Sequence, residues 1–314
     1  MLKLAAKRFV SMALIMVTVS FALFALFEHD KLAVAGKVLG PYSSEQQRLI
    51  WLDENGYDAP FLVRYADWLG ELVQGDFGTS IELNVPVADV LWPRLGNTAI
   101  LAAVVFAVMV PLSLMLGVLA GLREASLRDR TISIISVITT SVPEFASATL
   151  LTAVFVFWLG WLPGTSAMSA GFSWAEVILP AAVLVIYDFG YVTRMTRAAM
   201  IDVMTSDYVR TAILKGVAYQ RVVFRHALRN ALIAPFTVIV LQMNWLLSGV
   251  IIVEVFFAYK GFGKLLLDAA LFGDIYVIEA CTLIAVLVAV VSQFISDVGY
   301  MMLNPRIRFD KVRA

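Results

Sequence analysis

Few side chains in this 314-residue sequence could do chemistry, and the most informative ones interrupt apolar runs. Glu144 follows Pro143 inside one such run, Asp188 sits in a second, and Gln242 and Asn244 share a third. A charge in the middle of a hydrocarbon layer costs about 2.5–3.5 kcal/mol on insertion scales, so such residues mark polar paths or helix-to-helix bonds. Glu144, Gln242, Asn244 and Asp188 are therefore the candidates for lining a translocation pathway. The competing reading for Glu144 is packing around a break at Pro143. For Asp188, local pairing with Arg194 or Arg197 makes a structural role the better reading. No catalytic or metal constellation accompanies them. His29 and His226 lie far apart with no Cys or carboxylate at ligand spacing. The single cysteine, Cys281, falls in an apolar run, as a packing cysteine would. Neither Gly-x-Ser-x-Gly nor His-Glu-x-x-His occurs.

These residues need elements that hold them in an apolar solvent. Hydrophobic residues make up 61% of the chain and charged ones 15%, against about 45–50% and about 25% in soluble domains. The fold class expected is an all-α integral membrane protein. A bilayer core of about 30 Å needs roughly 20 apolar helical residues. Stretches Phe9–Phe27, Thr98–Leu122, Ile132–Trp158, Trp174–Tyr191, Ala231–Phe257 and Tyr276–Leu303 qualify, giving six transmembrane helices. Seventeen of the 24 Lys and Arg residues fall on one set of alternate connecting segments, which places both termini in the cytoplasm. Ala33-Val34-Ala35 imitates a signal-peptide cleavage site, but Glu28-His29-Asp30-Lys31 separates it from a run longer than such peptides carry, so the first run reads as a retained span.

The organisation that follows is a cytoplasmic start (1–8), a first span (9–27), an external cap (28–97), a core of five spans (98–303) and a cytoplasmic tail (304–314). The cap is acidic, with Glu45, Asp53, Glu54, Asp58, Asp67 and Glu71 among its charges. One cap helix should start after Ser43-Ser44. Another should follow Pro60, with Tyr65, Trp68, Leu69 and Leu72 at helical spacing. Trp68 and Trp92 could also rest at the membrane interface, and Tyr259 and Phe262 read as interface anchors rather than ligand contacts. The cytoplasmic loop 194–230 carries the densest pattern. Ser206 or Asp207 can cap a helix through Lys215, and Gly216 supplies the left-handed turn that ends it. A second helix follows, with Arg221, Arg225 and Arg229 on one face and Val222, Val223, Ala227 and Leu228 elsewhere. A helix–turn–helix of this kind projects as a knob, or lies flat on anionic headgroups.

At this loop the sequence becomes familiar. The run Asp207-Tyr208-Val209-Arg210-Thr211-Ala212-Ile213-Leu214-Lys215-Gly216, with Arg225-His226-Ala227-Leu228-Arg229-Asn230-Ala231 after it, resembles the coupling loop of ABC importer permeases of the dipeptide/oligopeptide/nickel family. The general importer signature is Glu-Ala-Ala, three residues, Gly, nine residues and Ile-x-Leu-Pro. Aligned on Gly216, only Ala212, Gly216 and Leu228 keep it, while Arg210-Thr211-Ala212 and His226-Ala227-Leu228-Arg229 resemble the peptide-family form. Further blocks extend the likeness over nearly the whole chain: Gln74 to Ser80, Gly117 to Arg123, Thr193 to Met200, Val253 to Phe256, Gly261 to Gly263 and Asn304 to Arg308. Where the family carries a Pro-Gly-Asp-Pro-like stretch, this chain reads Ala33-Val34-Ala35-Gly36-Lys37, a departure that bears on solute and docking partner.

The resemblance implies a type I ABC importer permease fold in a bacterial cytoplasmic (inner) membrane, and a transport subunit rather than an enzyme. It implies two cytoplasmic ATPase subunits that bind the ATP and Mg, an extracytoplasmic solute-binding protein, a second permease that is usually a paralogue, and no nucleic acid. No Gly-x-x-x-x-Gly-Lys-Ser/Thr occurs, so the chain itself lacks the usual phosphate loop. Asp207, Tyr208, Val209, Arg210, Thr211, Ala212, Ile213, Lys215 and Gly216 would form the ATPase-coupling element, with Tyr208, Val209 and Ile213 as its apolar contacts and Asp207, Arg210 and Lys215 as its charged rim. A secondary transporter or channel acting alone is the alternative, but it would favour paired broken helices and inverted repeats, which the sequence does not display.

Overall fold

A computed structural model describes residues 2–169 and 171–303, with side-chain surroundings for 8–169, 171–243 and 250–299. The helices begin with α1 (Leu2–Glu28), α2 (Lys31–Leu39), α3 (Glu45–Glu54), α4 (Phe61–Gln74) and α5 (Val87–Gly121). Next come α6 (Leu127–Ser141), α7 (Glu144–Thr152) with a π-helical continuation Ala153–Trp158, and α8 (Trp174–Met204). The chain goes on through α9 (Asp207–Leu214), α10 (Tyr219–Arg221), a π turn Val222–Ala227, α11 (Leu228–Ala231), α12 (Ile233–Phe256), α13 (Phe262–Phe272) and α14 (Ile275–Leu303). Among the described residues, the strand-like feature is an isolated antiparallel bridge between Thr79 and Pro86. The tail 304–314, including the Asn304–Arg308 block, lies outside the described residues.

Four helices, spanning Arg8–Glu28, Val87–Gly121, Trp174–Met204 and Ile275–Gly299, are long and apolar enough to cross a membrane. Two bent pairs would raise the number to six. The run Ile132–Trp158, taken as one span with a break at Pro143, is broken there by a 100° bend between α6 and α7. Pro143 is the cause. Its ring pushes the preceding residue out of the α region, and Val142 is extended (φ −86°, ψ 123°). The Pro143 carbonyl then accepts from Ala146 N and Ser147 N to start α7. A second bend, of 44°, falls at the start of the fifth run, between Tyr219–Ala231 and α12. The fourth was expected to end at Tyr191, where apolar character fades, yet α8 continues to Met204 because Val192, Thr193, Thr196 and Met200 are all buried.

The chain divides into two packed units, one of residues 1–98 with 260–290 and one of 99–259 with the stretch from 291. In the first, α4 lies on α1 through rings: Phe21 and Phe24 each meet Phe61 and Tyr65 edge-on, and Trp68 stands 5.4 Å from Phe24. The Tyr65 hydroxyl also shares a 2.8 Å hydrogen bond with Ser20. As expected, α3 starts after Ser44, which forms a reciprocal capping box with Gln47. Glu28 pairs with Lys31 and with Arg64, whose guanidinium covers the Tyr57 ring at 4.7 Å. Burial pushes the Tyr57 hydroxyl up to about 12. Val87, Leu91, Phe262, Leu265, Ala280 and Cys281 form this unit's core. Phe262, placed above at the membrane interface, is thus a core residue: α13 begins there and turns the ring inward.

In the second unit α8 is the central rod, packed against α6, α7 and α12. Close approach depends on missing side chains. A Cβ added at Gly190 would strike the Ser136 carbonyl oxygen and stand 2.8 Å from Thr139 Oγ1. One at Gly117 of α5 would come within 2.7 Å of the Thr193 carbonyl oxygen. Small residues at such crossings let backbones meet where apolar lipid supplies no hydrophobic drive to associate. Tyr259 is corrected in the same way as Phe262. The left-handed turn at Ala258 (φ 53°) folds the chain back, Tyr259 N donates to the Glu254 carbonyl at 2.8 Å, and the ring is buried. Glu254, two residues before the end of α12, is itself fully buried.

Gly190→Ala should lower the thermal midpoint of the detergent-purified protein, with a loss of roughly 1–3 kcal/mol for the forced separation of α8 from α6. Gly96→Ala, where nothing lies within 4 Å of the new methyl, should leave it unchanged or higher.

Candidate functional site

The loop after α8 forms a peg whose shape follows from three local devices. Ser206 is the N-cap of α9 with extended backbone (φ −70°, ψ 149°), but its hydroxyl donates back to the Val203 carbonyl instead of accepting a cap bond. At the other end Gly216 N donates to Ile213 O at 2.9 Å, and Val217 N donates to Ala212 O at 3.2 Å. That pair of bonds is a Schellman ending, and it requires the left-handed backbone found at Gly216 (φ 77°). Open space surrounds Gly216, so conformation rather than room selects glycine there. Val217 and Ala212 pack on the same small core, completing the motif.

That core consists of Met200 from α8, Val209 from α9, and Val222, Val223, Ala227 and Ala231 from the second arm. It holds the peg to the end of α8. Val209 was expected among the outward apolar contacts, and here the structure overturns the expectation: the side chain is fully buried in the peg's own core. The outward apolar residues are Tyr208 and Ile213, as expected, together with Leu214, which is 79% exposed and was overlooked. Asp207, Arg210, Thr211 and Lys215 are exposed, and Ala212 is half-buried. Tyr208 is also tied inward: Asn230 Nδ2 donates to its hydroxyl at 2.8 Å, and the hydroxyl donates to the His226 carbonyl at 3.4 Å. The second arm keeps Arg221, Arg225 and Arg229 exposed, while Val222, Val223 and Ala227 of the π turn Val222–Ala227 face the core.

Asp129 anchors the neighbouring turn to α8. Its carboxylate accepts from Ala125 N at 2.9 Å and from both forks of Arg197, the Nη2 bond being 2.8 Å. This two-pronged pair was not anticipated, because the partners are 68 residues apart. It also removes Arg197 as a partner for Asp188.

Asp188 lies deeper along α8 and is 1% exposed. Its Oδ1 accepts from Gln242 Nε2 of α12 at 2.6 Å, so the pairing expected with Arg194 or Arg197 is replaced by a bond between helices. Its Oδ2 has no partner among the described residues. Glu144 is 7% exposed in the first turn of α7, where the amide ends of the helix favour a carboxylate. Its Oε2 is likewise unpartnered, and the group lies within electrostatic reach of Asp188. A cavity of about 200 Å³ opens beside Asp188, lined by Thr140, Tyr187, Asp188, Tyr191, Arg194 and Gln242. Three of the four intramembrane candidates are thus brought into one neighbourhood. Asn244 is helical within α12, and its side chain lies outside the described residues.

The sequence pattern described as "Binding-protein-dependent transport system inner membrane component" matches residues 113–309. An oligopeptide transport system permease protein, AppB of Bacillus subtilis, is 37% identical over 279 residues, which cover 87% of this chain and 88% of that protein. A putative peptide transport system permease protein of Brucella abortus is 34% identical over 302 residues, 95% of both chains. The glutathione transport system permease protein GsiC of Escherichia coli K12 is 36% identical over 272 residues, 87% of this chain and 88% of its own.

Truncating the two apolar positions of α9 separates anchor from display. Val209→Ala should destabilise the protein by about 2 kcal/mol, since it empties part of the peg core. Leu214→Ala should stay within about 0.5 kcal/mol of the parent in the same thermal unfolding series.

Proposed function

The chain belongs to the family of binding-protein-dependent transport system inner membrane components, and from that premise we propose that it forms the solute path of a peptide importer, with six membrane spans and both termini in the cytoplasm. As a member it is a permease subunit of an ATP-driven importer, a transport component and not an enzyme, and works with a binding protein and ATPase subunits. The alternative of a transporter acting alone is set aside by that membership. The six-span reading takes each bent pair as one span. The charge bias of the connecting segments supports the orientation. Relatives named for oligopeptide, peptide and glutathione transport support peptides or related small solutes as the cargo.

The assembly proposed is this chain with a second, paralogous permease in a bacterial cytoplasmic membrane, two cytoplasmic ATPase subunits that bind the ATP and Mg, and an extracytoplasmic binding protein that delivers the solute. The observation that carries the coupling assignment is the peg: an outward helix, α9, bonded to the end of the central rod α8 by its own core. Tyr208, Ile213 and Leu214 would enter an apolar groove on an ATPase, with Asp207, Arg210, Thr211 and Lys215 at the rim. Val209 and Ala212 hold the helix from behind, and Gly216 sets the reversal. Closure of the ATPases on ATP would then displace α9 and α8 as one body and switch the access of the pathway. Nucleotide can do this only if the two states differ in their contacts with the ATPases. Glu144, Asp188, Gln242 and Asn244 are the residues proposed to line the path.

Gly216 offers the sharpest test. A β-branched residue is strained at a left-handed position, whereas Asn tolerates it. In proteoliposomes holding the complete transporter, Gly216→Val should abolish most ATP-driven peptide uptake and Gly216→Asn should retain it, with assembly intact in both. Uptake that persists without any ATPase subunit would overturn the reading.

A further inference from the structure

Among the described residues two neighbouring buried carboxyl groups each keep an unpartnered oxygen, that of Asp188 on the wall of a void, and the arrangement has the makings of a cation site. Asp188 is 99% shielded from solvent and lines the 200 Å³ cavity, yet among the described residues only its Oδ1 is bonded, to Gln242. A buried carboxylate left half-satisfied loses several kcal/mol of solvation unless something else meets it. The void holds more than one water's share of about 30 Å³ and is large enough for one amino-terminal residue of a peptide. Glu144 adds a second carboxyl from the side, and Arg194 on the wall leaves one formal negative charge among the three. The complement is a singly charged donor with several N–H groups. Among the described residues no three His, Cys, Asp or Glu side chains cluster as a metal site would demand.

We propose that Asp188, oriented by Gln242 and reinforced by Glu144, takes the terminal ammonium group of the transported peptide as it passes. The inference rests on the peptide and pathway readings above. Asp188 replaces the water that the ammonium sheds on entering the spans, which lowers the barrier to passage. Arg194 keeps the local charge small, so that the group is held weakly enough to leave, as conduction through any narrow polar path requires. The same chemistry would suit an inorganic monovalent cation, and the experiment separates the two.

The test uses the detergent-purified complex of both permeases and both ATPases without the binding protein, so that any discrimination read comes from the membrane subunits. Radiolabelled trialanine and N-acetyl-trialanine are compared by equilibrium dialysis. The wild type should bind trialanine at least tenfold more tightly than the acetylated form. Asp188→Asn should erase that preference, and replacing sodium and potassium by N-methylglucamine should leave it unchanged. Equal affinity for the two peptides in the wild type, or no detectable binding of trialanine, would overturn the proposal without any variant needing to fold. So would a preference retained in Asp188→Asn, or one that vanishes when the inorganic cations are removed. Failure of the peptide reading shows separately, as absent ATP-driven trialanine uptake by the complete wild-type transporter.

Discussion

Backbone contact between α8 and its neighbours is the constraint on which the second unit depends. Lipid does not drive helices together, so a rod becomes a reference frame only where its surface lets others approach to van der Waals distance. Gly190 admits α6, and Gly117 with Gly121 on α5 admits Thr193, Thr196 and Met200. Once seated, α8 presents its polar groups in sequence along one axis. Asp188 meets Gln242 of α12, Arg197 holds Asp129 in the first turn of α6, and Met200 enters the core that anchors the peg. A single helix therefore links the buried carboxyl cluster to the displayed face of α9. In the proposed cycle that continuity is what would let work done on α9 reach the pathway.

Local chemistry was legible in the residues, and tertiary direction was not. Ser206, Gly216 and Ser44 announced helix ends because capping and left-handed turns are decided within a few residues: α3 starts after Ser44, and α9 starts after Ser206 and ends at Leu214, one residue short of the expected Lys215. Pro143 announced a break but not its 100° angle, which neighbouring helices determine. Val209 and Leu214 are both apolar on an eight-residue helix, and only the packed core shows which one faces in. The π turn at Val222–Ala227 has no sequence signal, since no Pro or Gly marks it. Asp188 was misassigned because near neighbours in sequence look like partners. The true one is 54 residues away, and Arg197 was already engaged by Asp129. Tyr259 and Phe262 fit an interface belt by position, but the turn at Ala258 and the start of α13 bury both rings.

The peg also explains why its motif mixes residue types. An all-apolar loop would collapse into the bilayer, and an all-charged one would have no core to fix its angle. Val209, Val222, Val223 and Ala227 supply the fixed angle, and the exposed arginines keep the second arm in water. Tyr208 serves both demands, with its hydroxyl bonded to Asn230 and part of its ring displayed.

The most direct test of this account is a distance measured by electron paramagnetic resonance between spin labels at Leu214→Cys on α9 and Ile178→Cys near the start of α8, in the complete transporter. Because the peg core joins the two helices into one body, the distance should stay the same with and without bound ATP. A distance that changes with nucleotide, or splits into two populations, would show α9 moving independently of α8 and would contradict the account.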